Sequence, residues 1–399
     1  MTDIPAETRS AQNGIEIGLV PLFLKFLRFG ALAFGGPVAQ IAMLRAALVE
    51  DERWIPPARF NRLLAVLQVL PGPEAHELCV HLGMVARGRI GGLLAGLGFM
   101  LPGFLLMLGA GWLYVSQIAG NGELVRALIG VQVVVLAIIL RAVVRIGQHV
   151  VEDRALAGIA VAAFVATVVG VPFWIPLVAG GLVYATARRA GVAILILALG
   201  TVVAVLIRDA ASPQVVSSAA APVTVMALFV AGLKGGLLTF GGAYTAIPYV
   251  RADTVGRGWI GDSTFLDGIA LAGVLPAPLV IFATFVGYVA GGLEGALAIT
   301  AGMFLPAFAF SLVLFERLEA LVENPALHRL LAGVAAAVVG IIASTFVQLA
   351  LATGARVPRP VIGGIVFALA LTVAWRVKGA WVTPAIIVAG GLAGWLLLR

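Results

Sequence analysis

Long apolar segments, interrupted only by short polar stretches, occupy almost the whole of this 399-residue chain. Such segments need an apolar solvent, because only 11% of the residues are charged, whereas a soluble globular protein has about 25%. A helix that crosses a bilayer uses about 20 apolar residues, so the chain has room for about a dozen crossings. The sequence therefore predicts an all-α polytopic membrane protein and excludes a water-soluble enzyme.

Thirteen apolar segments can be delimited, and the shorter ones are either short crossings or halves of hairpins, so both full crossings and re-entrant segments remain open. They lie at residues 18–48, 59–86, 90–118, 124–150, 155–170, 172–187, 190–207, 223–250, 264–290, 293–315, 327–352, 360–375 and 380–398. The first sixteen residues lack the basic start and apolar core of a signal peptide. The domain prediction is a cytoplasmic tail at 1–17, a first membrane repeat at 18–207, a linker at 208–222 and a second membrane repeat at 223–399.

An internal repeat relates the two halves of the chain. The stretch Arg28–Gly36 aligns with Lys234–Gly242 at an offset of 206 residues. Further on, Leu70-Pro71-Gly72-Pro73 aligns with Leu275-Pro276-Ala277-Pro278 at an offset of 205. The offset falls by one residue at a time, as small loop deletions would produce. We therefore expect two homologous halves.

The basic residues predict the orientation of the chain, because Lys and Arg concentrate in cytoplasmic loops. With the N-terminus in the cytoplasm, thirteen crossings place sixteen Lys and Arg residues inside and nine outside, and they leave the C-terminus outside. The loop 45–62 is an exception, with four arginines on the predicted outer side. Seven crossings before the second half would invert it, as in many secondary transporters. Two parallel repeats with one misassigned crossing remain the alternative.

Two helix breaks occur in each half, and they are the candidate substrate site. Paired glycines permit unusual backbone torsions, and two closely spaced prolines cannot lie inside a regular helix. Each break should expose the N-terminus of a half-helix, whose free N–H groups bind anions. The alternative is that these glycines and prolines only kink or pack helices. The substrate-binding candidates at the breaks are Gly35, Gly36, Pro37, Pro71, Gly72, Pro73, Gly241, Gly242, Pro276 and Pro278.

Two cations occupy equivalent positions six residues before the first break of each half. These are Arg28 and Lys234, and we expect both to attract an oxyanion. Lys234 lies well inside an apolar segment, where a cation costs about 2.5–3.5 kcal/mol on insertion scales. Arg28 has a simpler alternative role, since its side chain can reach the interface beside Lys25.

Three titratable residues follow the Pro-Gly-Pro break of the first half. They are Glu74, His76 and Glu77, whereas the second half has only apolar residues at the corresponding positions. Acidic residues in a first helical turn also complement the helix dipole, which is the structural alternative. At membrane depth, however, Glu and His can take up and release protons. We therefore predict that these residues couple transport to protons, with Glu74 as the main candidate.

Several other classes of site are disfavoured. A single cysteine, Cys79, excludes a disulfide framework or a multi-thiolate site, and the four histidines are too scattered for a metal cage. The net charge of +7 is spread in ones and twos rather than gathered in a nucleic-acid patch. Motifs for nucleotide cofactors or nucleophilic catalysis are also absent. We therefore expect no metal, no cofactor, no nucleic-acid partner and no enzymatic activity. An intramembrane reductase would need a redox centre, and a single cysteine without a cofactor motif argues against one.

The break motifs resemble those of the chromate ion transporter family. The resemblance rests on Phe29-Gly30, Ala33–Pro37, Gln68–Ala75, Arg87–Gly92 and Leu101–Phe104, and the second half looks like the duplicated domain of the long-chain type. It implies efflux of chromate through the bacterial inner membrane, driven by the proton motive force. Sulfate, which has the same shape and charge, is the implied competitor or alternative substrate.

The expected partners are therefore chromate or sulfate, protons and the lipid bilayer. The residues alone leave open a carrier for another oxyanion, a passive anion channel, and either a monomer or a homodimer.

Overall fold

The computed structural model describes most of the chain, in segments that cover both halves. These segments are 17–34, 36–67, 70–118, 122–186, 222–239, 243–313, 325–377, 379 and 381–398. The predicted segment 190–207 lies outside them, as do the predicted tail except Ile17 and the predicted linker except Pro222. Within these segments the regular structure is entirely helical, as expected where a bilayer requires every backbone group to be satisfied internally.

The first half contains seven helices within its described residues. They are α1 Leu19–Ala31, α2 Gly36–Arg45, α3 Pro57–Leu67, α4 Glu74–Leu113, α5 Gly122–Val150, α6 Arg154–Val168 and α7 Trp174–Thr186. A π-helical turn, Ala46–Asp51, extends α2, and another, Tyr114–Ile118, extends α4. The Asp153 carboxylate caps α6 by accepting the Leu156 N–H at 2.8 Å.

The second half repeats this order across the residues that the structure covers. Its helices are α8 Val225–Leu237, α9 Ile247–Thr254, α10 Asp262–Val274, α11 Phe282–Val313, α12 Pro325–Gly354, α13 Pro360–Arg376 and α14 Val382–Leu397. The two first helices even end alike, because Leu32 has φ −105° and ψ 6° and Leu238 has φ −105° and ψ 7°. The internal repeat of the sequence is therefore a repeat of the backbone.

Helices α4 and α11 are hairpins rather than single rods. Arg87 and Gly88 have torsions of (−144°, 30°) and (63°, −157°), and their equivalents Gly291 and Gly292 have (−146°, 24°) and (63°, −153°). The reversal brings Gly83 so close to the returning arm that a Cβ there would lie 2.5 Å from the Gly91 carbonyl oxygen. These turns confirm the sequence boundaries that separated 59–86 from 90–118 and 264–290 from 293–315.

Four stretches among the described residues are long and apolar enough to cross a bilayer. They are Glu74–Ile118, Leu124–Val150, Leu279–Val313 and Arg329–Gly354. The first and third contain the hairpin turns, so only their second arms, 89–113 and 293–313, are long enough to cross. At 1.5 Å per residue these arms measure about 37 and 31 Å, whereas the first arm of α4 measures only about 20 Å.

The thirteen segments do not all cross, because the segment 223–250 folds back on itself. Lys234 of α8 pairs with Asp253 at the end of α9, and a Cβ on Gly235 would lie 2.9 Å from Val250. Helix α9 thus runs back along α8 toward the side from which the chain entered. In the first half the same return brings the Trp54 ring to 6.2 Å from the Phe26 ring of α1, so 18–48 does not cross either.

The segment 264–290 also enters and returns. Near its start, Thr264 accepts a hydrogen bond from Tyr114, and farther along, Ala277 packs against Gly103. Gly103 lies 11 residues before Tyr114, or about 16 Å back along α4. The chain then returns to Tyr288, which packs against Gly111. The equivalent segment 59–86 has the same design, with α3 leading to a break and the short first arm of α4 returning to the hairpin.

These returns account for the arginines of the loop 45–62. Thirteen crossings placed them on the side opposite to most of the other basic residues. Because the segment 18–48 is re-entrant, this loop lies on the side from which α1 begins. Because the segment 223–250 is also re-entrant, Arg251 and Arg257 lie on the side on which α8 begins. Four arginines thus join the N-terminal side and two leave it. The asymmetry of basic residues becomes stronger than the sequence suggested.

The two halves are inverted relative to each other. The second arms of α4 and α11 are equivalent elements, and they pack side by side with Gly92 against Leu312 and Gly96 against Phe308. Residue numbers rise along one arm as they fall along the other, so the arms run in opposite directions. Parallel repeats would place equivalent arms in the same direction, and that alternative is therefore excluded.

Candidate functional site

The four helix breaks meet inside the bundle in two pairs, and each pair takes one break from each half. In one pair the Gly72 N–H donates to the Thr239 carbonyl oxygen at 2.8 Å. In the other, the Gln40 side-chain amide donates to the Ala33 carbonyl oxygen at 2.8 Å and to that of Ala277 at 3.0 Å. Three carbonyl groups at the breaks are thereby satisfied away from water.

The two pairs are related by the internal repeat, but they are closed by different chemistry. Ala33 is equivalent to Thr239, and Gly72 is equivalent to Ala277. One pair is joined directly through the backbone, whereas the other needs the side chain of Gln40, which is 1% exposed. Ala246 occupies the position equivalent to Gln40. The centre of the molecule is therefore approximately, but not fully, symmetric.

Most predicted residues at the breaks are placed close to this junction. Gly36, with φ 78°, and Pro37 begin α2 directly after the first break. At the second break of each half, four of the predicted residues are buried: Gly72, Pro73, Pro276 and Pro278. Pro71 is half-buried. The remaining candidates, Gly35, Gly241 and Gly242, lie outside the residues that the structure describes.

A buried carboxyl group lies against the junction. Glu77 is 0% exposed, and neither of its side-chain oxygens has a hydrogen-bond partner in the described part of the chain. It fills the space beside Gly72, where a Cβ would lie 2.5 Å from Glu77 Oε1. Glu74 is half-buried one turn earlier on α4. The acid cluster predicted from the sequence is thus adjacent to the converging breaks.

His76 faces the other half of the protein. Its ring is 0% exposed and lies between Phe304 and Phe308 of α11, with ring centres 4.9 and 4.7 Å away. The second half thus covers the titratable cluster of the first with aromatic rings.

The two predicted cations do not converge on the breaks. Lys234 Nζ lies 3.1 Å from the carboxylate of Asp253, which also accepts from Arg257 at 3.0 Å, so Lys234 is ion-paired within its own half. Arg28 is exposed on α1, two residues from the buried Phe26 and Gly30 and so on the opposite face. The described side chains around the junction are therefore acidic and polar rather than basic.

Comparison with known proteins identifies the family. A family model described as chromate transporter matches residues 20–186 and 226–395, one match for each half. The chain belongs to the chromate transporter family. The two matches correspond to the two homologous halves, and membership makes the protein a multi-pass membrane transporter rather than an enzyme.

Individual family members match along almost their full length. The chain is 55% identical to a chromate transport protein of Pseudomonas aeruginosa over 381 residues, which cover 94% of this chain and 92% of the relative. It is 31% identical to a chromate transport protein of Cupriavidus metallidurans over 95% of this chain and 94% of that protein. It is 29% identical to a probable chromate transport protein of Synechococcus elongatus over 92% and 93% of the two chains. No solved structure matches.

Three residues of this region were missed or undervalued by sequence reasoning. Gln40 was an isolated polar residue in an apolar segment, and its second acceptor is 237 residues away. Asp253 lies beyond the end of the predicted segment 223–250 and is not among the predicted site residues. Asp267 is fully buried in α10. Its only sequence signal was an acidic residue inside the apolar segment 264–290.

Proposed function

We propose that this protein exports chromate across the bacterial inner membrane by exchange with protons, and that the junction of the four breaks is where the anion is bound during transport. The convergence of the breaks is the observation that carries the proposal. The relatives from Pseudomonas aeruginosa and Cupriavidus metallidurans are both named as chromate transport proteins. Sulfate fits the same requirements of shape and charge and is the alternative substrate.

Backbone N–H groups are the proposed anion ligands. A half-helix that begins inside the bundle has unsatisfied N–H groups and about half a positive charge at its N-terminus. Helix α2 begins at Gly36 and the first arm of α4 at Glu74, each directly after a break, and the 3₁₀ turn Leu279–Ile281 that leads into α11 begins directly after Pro278. Because the halves are inverted, these N-termini approach the junction from opposite sides. A tetrahedral dianion offers acceptors in both directions.

Glu77 is the proposed coupling residue, together with Glu74. An ionised carboxylate buried without a partner is strongly disfavoured, so Glu77 is stable in this arrangement as the neutral acid. When ionised, it would repel a dianion at Gly72. Neutral Glu77 therefore admits the anion, and loss of its proton to the cytoplasmic side favours release of the anion to the outer side, so that proton and anion move in opposite directions. His76, whose ring lies between Phe304 and Phe308 at the contact with the other half, is proposed as an auxiliary proton-binding group.

The proposed orientation places the N-terminus in the cytoplasm and the C-terminus outside. The re-entrant topology collects the basic loop 45–62, Arg87 and Arg89 on the side from which α1 begins. The positive-inside rule assigns that side to the cytoplasm. The short acid-containing arm of α4 then ends on the cytoplasmic side.

The first prediction concerns Glu77→Gln, which keeps the shape of the side chain but cannot ionise. We expect accumulation of chromate driven by a pH gradient in proteoliposomes to fall by about tenfold or more, whereas chromate–chromate exchange is retained because it needs no net proton movement. Sulfate added in excess should compete with labelled chromate in both assays.

The matched control is Glu50→Gln, which removes an exposed carboxylate that pairs only with Arg45. It should transport like the unmodified protein. Chromate flux that is independent of the pH gradient in the unmodified protein would instead favour the passive channel, and wild-type accumulation by Glu77→Gln would contradict the coupling role.

A further inference from the structure

A second buried carboxyl group, that of Asp267, lies at the edge of a cavity away from the junction. The cavity has a volume of about 470 Å³. That volume holds on the order of ten water molecules. It reaches the surface, because its lining includes Val115, which is 53% exposed, and the exposed Arg356. Asp267 itself is 0% exposed.

The cavity lies on the side of the protein opposite to the start of α1. Its wall includes Tyr114, which directly follows the second arm of α4. That arm begins at the hairpin turn of Gly88 and extends for about 37 Å. In the proposed orientation the cavity is therefore on the outer side, whereas the hairpin of α4 is on the cytoplasmic side.

Neutral groups, rather than a cation, hold the Asp267 carboxyl group. The Tyr114 hydroxyl donates to Oδ2 at 3.0 Å, and the Gln132 amide donates to Oδ1 at 2.8 Å. Gln132 also donates to the Ser263 hydroxyl at 3.0 Å, while its own side-chain oxygen is buried without a partner among the described residues. This oxygen of Gln132 is able to accept a hydrogen bond from the Asp267 carboxyl group when that group is protonated.

The surroundings of Asp267 contain few charges. Tyr114 and Arg356 are the titratable or charged side chains that line the cavity with it, whereas α5 contributes Gln132 and α11 contributes Val289. Arg356 forms no ion pair with Asp267 within the 4.0 Å limit in the described part of the chain. Protonation of Asp267 therefore breaks no ion pair.

Other acidic residues of the second half differ in this respect. Asp253 pairs with Lys234 and Arg257, and Asp262 accepts from Arg251 at 2.7 Å. Neutralising either of them would leave a cation unpaired, whereas neutralising Asp267 leaves no cation of an ion pair behind. The equivalent position in the first half is Arg62, at the offset of 205 that relates the break motifs. Each half thus has its buried acid at a different position, after the break in the first and before it in the second.

We infer that Asp267 is a second proton-binding group of the transport cycle, reached by protons from the outer side through this cavity. This inference rests on the proposed proton-coupled function. In an exchange of chromate for protons, protons arrive from the side to which the anion leaves. The outer cavity delivers them to Asp267, and anion binding at the junction changes the number of protons held by Asp267 and Glu77 together.

The test compares Asp267→Asn with Asp267→Glu and with Ser263→Ala, which changes the same cavity without removing a titratable group. We expect Asp267→Asn to lose pH-gradient-driven chromate accumulation by about tenfold or more while retaining chromate–chromate exchange. Asp267→Glu should recover part of the accumulation, and Ser263→Ala should keep it. Loss of exchange together with accumulation would show a structural role and overturn the inference, as would wild-type accumulation by Asp267→Asn.

A second measurement separates this inference from the proposed function. Chromate added to the purified protein in detergent, with a pH-indicating dye, should change the number of bound protons, and Asp267→Asn should reduce that change while Ser263→Ala does not. If the unmodified protein shows no gradient-driven transport, the proposed function fails. Asp267 is then judged by the dye signal, and an unchanged signal in Asp267→Asn overturns its assignment.

Discussion

At the scale of single residues, the site combines groups that are satisfied with groups that are not. Gln40 and Thr239 contribute to the hydrogen bonding of the breaks, whereas Glu77 is buried without a hydrogen-bond partner among the described residues. Buried polar groups are almost always paired, so an unpaired carboxyl group at the junction supports the proposal that Glu77 changes its charge during transport. The residues that sequence analysis ranked highest for charge, Arg28 and Lys234, do not have this property.

Lys234 gives a prediction at this scale, because its pairing with Asp253 competes with a role as an anion ligand. If the ion pair is its main role, Lys234→Met and Asp253→Asn together should be less destabilised than the sum of the two single variants. The coupling should be about 0.2–1 kcal/mol, because the lysine side chain is 41% exposed. Thermal unfolding in detergent measures it.

Transport by the same variants decides between the two roles. A double variant that keeps the affinity of the unmodified protein for chromate would remove Lys234 from the substrate site. Loss of affinity in Lys234→Met that Asp253→Asn does not repair would restore it there.

At the scale of elements, the hairpin turns decide where half-helices end and crossing arms begin. The torsions of Gly88 and Gly292, with φ 63° and ψ near 180°, belong to a region that only glycine adopts without strain. Space is not the limit, since a Cβ at either position would meet nothing within 4 Å. Any cost of substitution there is therefore a cost of backbone conformation.

This separation allows a clean test with Gly292→Ala. We expect a loss of about 1–3 kcal/mol in the free energy of unfolding, from backbone strain alone. The control is Gly364→Ala in α13, where a Cβ also meets nothing within 4 Å but the backbone is helical. That variant should be neutral or more stable, because alanine favours a helix over glycine by about 1 kcal/mol. Equal melting temperatures for the two variants would contradict the argument.

At the scale of the whole molecule, each half packs its short C-terminal helices against the long helix of the other half. The long helix α5 of the first half packs through Gly130 against Gly390 and Gly394 of α14. The equivalent helix α12 packs through Gly333 against Gly180 of α7, and through Gly340 against α6. Each half thus covers the long helix of the other with its own short helices, and small residues allow the close approach.

Gly130→Ala tests this packing. The new Cβ would be closer to the Gly390 carbonyl oxygen than real atoms approach, so α5 and α14 must separate, at a cost of about 1–3 kcal/mol. Gly147→Ala in the same helix is the control, because its Cβ would meet only Val339 at an ordinary 3.5 Å. Thermal unfolding should rank Gly130→Ala below the unmodified protein and Gly147→Ala at or above it.

Much of this architecture follows from the sequence, because prolines and paired glycines keep their spacing in both halves. The repeat, the hairpin boundaries and the position of the breaks were all predictable from residues such as Gly88, Pro71 and Pro276. The direction of the chain after a break was not, since a segment of about 30 apolar residues is long enough either to cross or to return. Nor were the contacts of Gln40 and Asp267, which depend on partners more than 100 residues away.

The reciprocal packing of the long helices has a consequence for shorter chains of this design. A chain that ended after α7 would leave one side of α5 bare, because the helices that cover it belong to the other half. Such a chain would become complete only by meeting a second copy inserted upside down in the same membrane. Fusing both copies into one polypeptide removes that requirement. It also allows the two halves to carry a buried acidic residue at different positions, as Glu77 and Asp267 do here.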